Sequence, residues 1–392
     1  IKHFKIAGYK YFQYFQYILF KICGLSPWKQ EFSAFRKIAT EDGSKNLAWN
    51  FSHAGSCYNI LLFTVIISMT FIEILEKKLE IIENDSMFGE ISSKFTIVSM
   101  LSASMIFIIY VVRQTILINV NNQFKVLDDE LKNCADYSPK YDTNYSIFTF
   151  NFLLTSFILA AQVKIIQSVV RTIIWSTPFV ISNWVMTQYS LLVFIIEKRF
   201  KRINSTISKM GTVNSKISHS RKSVLQDIGR IKLAYIILCD MCDQASNFYG
   251  FPTLISIFIL SVRSIFTLYY LILNMIRIDE VDFYIDTFVW MYGAFLLRNV
   301  IIFTFLTTYV TNTLKENKKT ICIINELRDR YFMDEEIEQK LKKFSKNLLY
   351  MRVKFTVCDI LPLDRNLLAV ISGTITTYLM IIIQFRLSSM SY

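Results

Sequence analysis

The sequence predicts an all-α membrane protein with seven spanning helices, and three observations carry that prediction. Hydrophobic residues make up 53% of the 392-residue chain and charged residues only 19%, whereas soluble domains carry about 25% charge. The apolar residues fall in runs of about 20, the length a helix needs to cross a bilayer, and the runs lack the alternation of barrel strands. Lys and Arg collect between alternate runs. The mean hydropathy of +0.36 fits the same class.

Residues 1–55 are expected to form a cytosolic N-terminal segment. Ile1 in place of Met points to an N-terminus that is incomplete or trimmed. The stretch 11–23 is apolar and aromatic, but it is too short to span and Lys21 interrupts it. It has no clean apolar core or small-residue cleavage site, so it does not read as a signal peptide. A membrane-surface or core-packed segment is expected there.

Spans are predicted at about 56–75, 95–116, 145–164, 174–196, 250–274, 283–310 and 366–385. The first six form one bundle, 56–310, with a cytosolic linker at 197–249. Within that linker, 203–223 is rich in Ser, Thr, Asn and Lys and is expected to be mobile. A short turn near 279–282 joins the fifth and sixth spans.

Basic residues set the direction. Eight precede the first span (Lys2, Lys5, Lys10, Lys21, Lys29, Arg36, Lys37, Lys45) and ten follow the fourth. The alternate loops hold three, two and one, and the tail holds only Arg386. Cytosolic loops collect Lys and Arg, so the N-terminus lies inside and the C-terminus outside. Asn84-Asp85-Ser86, a glycosylation sequon, falls in the first outer loop. The net charge of +12 mostly reflects this bias. Its dispersal among loops argues against a nucleic-acid partner, whereas membrane lipids are necessary ones. An inward N-terminus also argues against a G-protein-coupled receptor.

Residues 311–365 read as cytosolic helices. Leu314, Ile321, Ile324, Leu327 and Tyr331 extend the sixth span inward at helical spacing. From Asp334, a second stripe follows through Ile337, Leu341, Phe344, Leu348 and Met351. Asp334 suits the N-cap, and Glu335 and Glu336 suit the positive end of the helix dipole. Two consecutive amphipathic helices need a surface that buries them. A packed cytosolic domain at a subunit interface is expected, with a membrane-surface helix as the alternative.

Other chemistry finds little footing. Cys239 and Cys242 form a CxxC with no second Cys or His pair nearby, and the seven cysteines are scattered. There is no HExxH and no Gly-rich phosphate loop, and His3, His53 and His219 are isolated. Neither an enzyme nor a cofactor or metal is expected.

The last segment, 366–392, contains the string Thr377-Tyr378-Leu379-Met380-Ile381-Ile382-Ile383-Gln384-Phe385. Thr377 and Gln384 lie two turns apart, nearly on one helix face, and Gly373 and Thr374 extend that edge. Gln384 could bond a neighbouring helix, or the edge could line a water-filled path around a symmetry axis.

This string resembles the signature of the insect gustatory receptor family: Thr-Tyr, five apolar residues, then Gln-Phe. The stretch 355–368, FTVCDILPLDRNLL, resembles the segment before that family's last helix, although the family often has Gly at the position of Asp359. ICGLSPW at 22–28 is similar to its pre-helical segment.

The resemblance implies a tetrameric, tastant-gated, nonselective cation channel in the plasma membrane of chemosensory neurons, as a homotetramer or with related subunits. Gln384 and Phe385 would then form the pore constriction, with Ile381 and Thr377 lining the path below. A pocket for a small-molecule tastant would lie among the outer halves of the third to sixth spans. Its candidates are Trp175, Asn183, Trp184 and Gln188, then Thr267 and Tyr269, then Asp286, Trp290 and Tyr292. Arg263 and Arg298 sit inside spans at roughly 2.5–3.5 kcal/mol each, so each must face protein, water or an acid. A structural ion pair is the expected arrangement, with ligand contact as the alternative. Leu379 stands where receptors for several common sugars carry Glu, and fructose-receptor and bitter-type branches share the aliphatic residue.

Overall fold

The computed structural model describes residues 2–30, 49–80, 87–134, 145–210, 221–276, 283–331, 333–351 and 353–390. The described residues form ten helices and two small hairpins: α1 (Lys2–Ile22), β1 (Lys29–Gln30), β2 (Trp49–Asn50), α2 (His53–Glu80), α3 (Met87–Val112), α4 (Gln114–Lys132), α5 (Tyr145–Ile166), α6 (Val169–Lys209), α7 (Arg221–Ile276), α8 (Phe283–Arg330), α9 (Glu335–Tyr350), β3 (Thr356–Val357), β4 (Leu361–Pro362) and α10 (Asn366–Met390). Seven of them, α2, α3, α5, α6, α7, α8 and α10, are long and apolar enough to cross a membrane. The fold class is therefore the one composition and hydropathy predict.

The inner ends of the bundle differ from expectation in two places. The second span does not reach 116, because α3 stops at Val112 and α4 starts at Gln114 after Arg113. Nor is 203–223 a loop throughout. α6 continues to Lys209 and α7 already begins at Arg221. Polar side chains facing cytosol cost a helix little, so low hydropathy there says nothing against helix. Residues 211–220 and the sequon Asn84–Ser86 lie outside the described residues.

α6 is the hub. It packs against α3, α5, α7 and α8, and 78% of its most apolar stretch is buried, against 6% for α10. Below the bundle, α4, α9 and the inner halves of α6, α7 and α8 form the packed cytosolic body. The α9 stripe Ile337, Leu341, Phe344 and Leu348 is buried in full, and Phe344 meets Tyr235 edge-on at 5.9 Å. The stripe faces protein, not the membrane surface. Asp334 accepts a hydrogen bond from the Ile337 N–H at 3.3 Å and caps α9. Asn204 on α6 donates to the Glu316 carbonyl of α8 at 2.9 Å and accepts from Thr320 at 2.7 Å.

The N-terminal segment is core-packed at its end. Phe20, Leu25 and Trp28 are buried, while Tyr11 and Phe15 remain exposed. Three side chains from two helices hold the backbone of 22–25: Tyr58 donates to the Ile22 carbonyl, Asn59 to that of Gly24 and Gln188 to that of Leu25. Gly24 has φ +72°, a conformation side chains disfavour. A Cβ at Gly55 would fall 1.7 Å from the Pro27 carbonyl oxygen, so only glycine allows α2 to approach this segment.

Among the described residues the seven cysteines are free and no His, Cys, Asp and Glu cluster could hold a metal.

Candidate ligand cavity and pore helix

A small cavity lies between α5, α6, α7 and α8. It is lined by Thr155, Ile158, Leu159 and Gln162, by Ser176, Phe179 and Val180, by Arg263 and Thr267, and by Met291, Tyr292, Phe295 and Arg298. Helical spacing brings these together: Thr155, Leu159 and Gln162 recur at i, i+4 and i+7 on α5, as do Met291, Phe295 and Arg298 on α8. About 20 Å³ of the cavity admits the centre of a water. That holds a water molecule, and a larger guest must part the walls.

Two guanidinium groups dominate the chemistry. Arg298 is 1% exposed. Its Nη1 donates to the Thr155 hydroxyl at 3.1 Å, while its Nε is sealed from solvent without an acceptor. Thr155 in turn donates to Asn151 at 3.4 Å, and Asn151 to Thr187 at 3.0 Å. Arg263 lies over the Phe179 ring at 4.8 Å and Arg298 over Phe295 at 5.3 Å. The expected ion pair is absent: among the described residues no carboxylate lies within ion-pair distance of either guanidinium. Ser176 donates to Gln162 across the α5–α6 side of the cavity.

Of the pocket candidates, Thr267 and Tyr292 line this cavity. Tyr269 is buried beside Tyr270 without reaching the cavity. Trp290 is 73% exposed on the outer face of α8. The Asp286 side chain lies outside the described residues. Trp184, Asn183 and Gln188 sit deeper in the α6 hub, away from the cavity. Trp184 is wedged between Phe20 and Phe148, Asn183 donates back to the Phe179 carbonyl, and Gln188 holds the N-terminal segment. Trp184 thus packs against α1 and α5, and Gln188 against α3 and the Leu25 backbone. Trp175 is half-buried on α6 and is not among the lining residues. Sequence reasoning missed Thr155, Gln162, Ser176, Phe179 and Phe295. The i, i+7 pairing of Thr155 with Gln162 in an apolar span is the signal that marks this face.

α10 stands at the opposite extreme of burial. Leu367 is buried, and Leu368 and Ile371 pack on the core at its inner end. Beyond them Thr377, Ile381, Gln384 and Phe385 are all exposed, Phe385 to 75%. Thr374 and Thr377 satisfy their hydroxyls on the carbonyls of Val370 and Gly373, each at 2.9 Å.

Before α10, the chain turns through β3 and β4, which pair Thr356 with Pro362 and Val357 with Leu361. Cys358 and Asp359 have φ of 52° and 57°, so the three-residue connection 358–360 contains a β-turn, closed by the Ile360 N–H on the Val357 carbonyl at 3.0 Å, with both central residues left-handed. Asp359 fills the position with a local contact, accepting from the Thr356 hydroxyl at 2.9 Å. The hairpin sits on α7 through Ser246, which bonds both backbone groups of Thr356. A broad cleft of about 1070 Å³ lies beside it, lined in part by Arg113, Asp240, Asp243, Lys354 and Asp359.

A family model described as 7tm Chemosensory receptor matches residues 13–389. The chain belongs to that family. Its relatives include gustatory receptors 28a and 28b of Drosophila melanogaster, 25% and 21% identical over 62% and 64% of this chain. The matched stretches span 54% and 60% of those proteins. The Drosophila gustatory receptor for sugar taste 43a is 23% identical over 36% of this chain and 32% of its own length. These relatives are insect gustatory receptors, and this chain is similar to them over part of their length. Its fold is similar to that of the insect olfactory receptor OR5 from Machilis hrabei, at a TM-score of 0.62 and 11% identity over 96% of this chain and 99% of that one. The eugenol complex of that olfactory receptor matches equally, at 0.62 and 12% identity, covering 97% and 99%.

Proposed function

We propose that this chemosensory receptor is a tastant-gated, nonselective cation channel of the plasma membrane of chemosensory neurons, and not an enzyme. The observation that carries this reading is the outer half of α10. It is an apolar helix with little of its own chain around it, and Gln384 makes no hydrogen bond among the described residues. A carboxamide turned to lipid would cost several kcal/mol. The same group in a ring of copies around an axis would meet water and passing cations. In that assembly, a homotetramer or a heterotetramer with related receptors, Phe385 closes the path, Gln384 lines it, and Ile381 and Thr377 continue it inward.

The buried α9 stripe and its neighbours anchor the subunits beneath the membrane. The cavity among α5–α8 takes the external small molecule, as the olfactory receptor named above takes eugenol. Parting the walls around a ligand moves α7 and α8, and α10 packs on both. That contact couples the cavity to the pore. A sugar such as fructose is one tastant class within this reading, supported by the likeness to the sugar receptor, while Leu379 fits a fructose-type and a bitter-type ligand alike. A bitter-type ligand is the second class.

The test is expression of the chain alone in a cell with G-protein signalling blocked, scanning sugars and bitter compounds for membrane current. A ligand-evoked current carried by Na+ and K+ alike is expected. A response that disappears when G proteins are inactivated would overturn the reading.

A further inference from the structure

The cavity among α5–α8 has largely apolar walls and two cationic groups with no carboxylate partner among the described residues. Ser264 and Asn299 are hydrogen-bonded at 3.3 Å, which sets their chain neighbours Arg263 and Arg298 at matching height on α7 and α8. Both guanidinium groups reach the same small cavity. A guanidinium in a membrane interior is costly unless it is paired or solvated. Here one Thr hydroxyl and two aromatic faces are the partners present, and the buried Nε of Arg298 has none. A compact anion satisfies both groups and brings no donor.

We propose that this cavity is an anion site, formed by Arg263 and Arg298 with the Thr155 hydroxyl beside them. Its occupant is the carboxylate of a compact ligand or a chloride ion, the shared chemistry being one negative charge in a space that now admits a water. The site itself stands on the cavity geometry; its role as the tastant pocket rests on the channel reading. Phe179, Ile158, Leu159 and Met291 would hold the apolar body of a carboxylate ligand.

The experiment uses the purified full chain in detergent, with sulfate balancing ionic strength. Thermal stability is followed while propionate, its neutral isostere propionamide, or chloride is added. Propionate or chloride should raise the unfolding temperature saturably and propionamide should not. Whichever anion saturates at lower concentration identifies the occupant. Arg298→Gln should raise the half-saturating concentration at least tenfold, and Arg298→Lys less, because it keeps the charge. Should Arg298→Gln not fold, Arg263→Gln carries the same comparison. Equal effects of propionate and propionamide, or anion effects unchanged in a folded Arg→Gln variant, would overturn the proposal. Whole-cell current separates the two readings: anion binding in a protein that passes no ligand-evoked current sinks the channel and leaves the site, and ligand-evoked current from a protein that neither propionate nor chloride stabilises does the reverse.

Discussion

Tyr110 on α3 donates a hydrogen bond to Gln188 on α6 at 2.7 Å, and Gln188 donates in turn to the Leu25 carbonyl at 3.0 Å. One carboxamide thus joins two spans to the segment before the first. It occupies both its acceptor and a donor.

Replacing Gln188 by Ala therefore tests stability and not recognition. The Tyr110 hydroxyl and the Leu25 carbonyl would both lose their partner, at about 1–3 kcal/mol for each buried group left unsatisfied. The expected result is less protein at the cell surface and a lower unfolding temperature in detergent, with unchanged half-maximal ligand concentration in the receptors that do arrive. A large shift in ligand sensitivity at normal surface density would place Gln188 in the pocket after all.

Asp334 ties α9 to the start of α7. Arg221 meets it through Nε at 2.8 Å and Nη2 at 3.0 Å, while the same carboxylate caps the helix through Ile337. Desolvation pushes this carboxyl up, but the Arg221 hydrogen bond, the Ile337 N–H and the Arg221 charge together hold it below its ordinary value. A lowered folded-state pKa means the contribution is complete above the unfolded value, about 3.9. It is lost as pH falls through the folded one. Asp334→Asn keeps the cap and removes the charge. The gap in unfolding temperature between wild type and Asp334→Asn should be constant above about pH 5 and shrink on further acidification. A gap that widens toward acid would contradict this assignment.

The β3–β4 turn offers a third check. Asp359 adopts a left-handed conformation that Asp tolerates and glycine adopts freely. Asp359→Gly gains conformational ease and loses the Thr356 contact, so stability should change by less than about 1 kcal/mol. Asp359→Val loses the contact and adds strain, and should destabilise by about 2 kcal/mol or more. Thermal unfolding of the two variants decides it; equal behaviour of Gly and Val would mean the turn is not left-handed there.

These cases show what a sequence can and cannot disclose about such a chain. The spans and the α9 stripe are legible because hydropathy and period are properties of neighbours along one helix. Ile337, Leu341, Phe344 and Leu348 could be read as one face before any partner was known. Which partner a face meets is not written locally. Trp184 and Gln188 look like pocket residues in an apolar span, yet α6 turns them toward α1 and α3. Thr267 and Tyr292 look no different and do line the cavity. Arg263 and Arg298 were visible as costly residues, but that no carboxylate among the described residues lies beside them depends on how four helices are rotated. The Asp359 turn was legible as a position where glycine is usual, and only backbone angles show how aspartate fills it.

The most direct test of the channel reading is the conductance of the purified chain in planar bilayers, with no other protein present, compared between wild type and Phe385→Ala. Truncating a hydrophobic constriction removes the dewetted barrier to ions. The account predicts a ligand-independent cation current for Phe385→Ala, well above the wild-type baseline at equal protein density, with K+ and Na+ passing alike. Protein that inserts in both forms and yet conducts in neither, or conducts equally in both, would contradict α10 as the pore-lining helix and Phe385 as its gate.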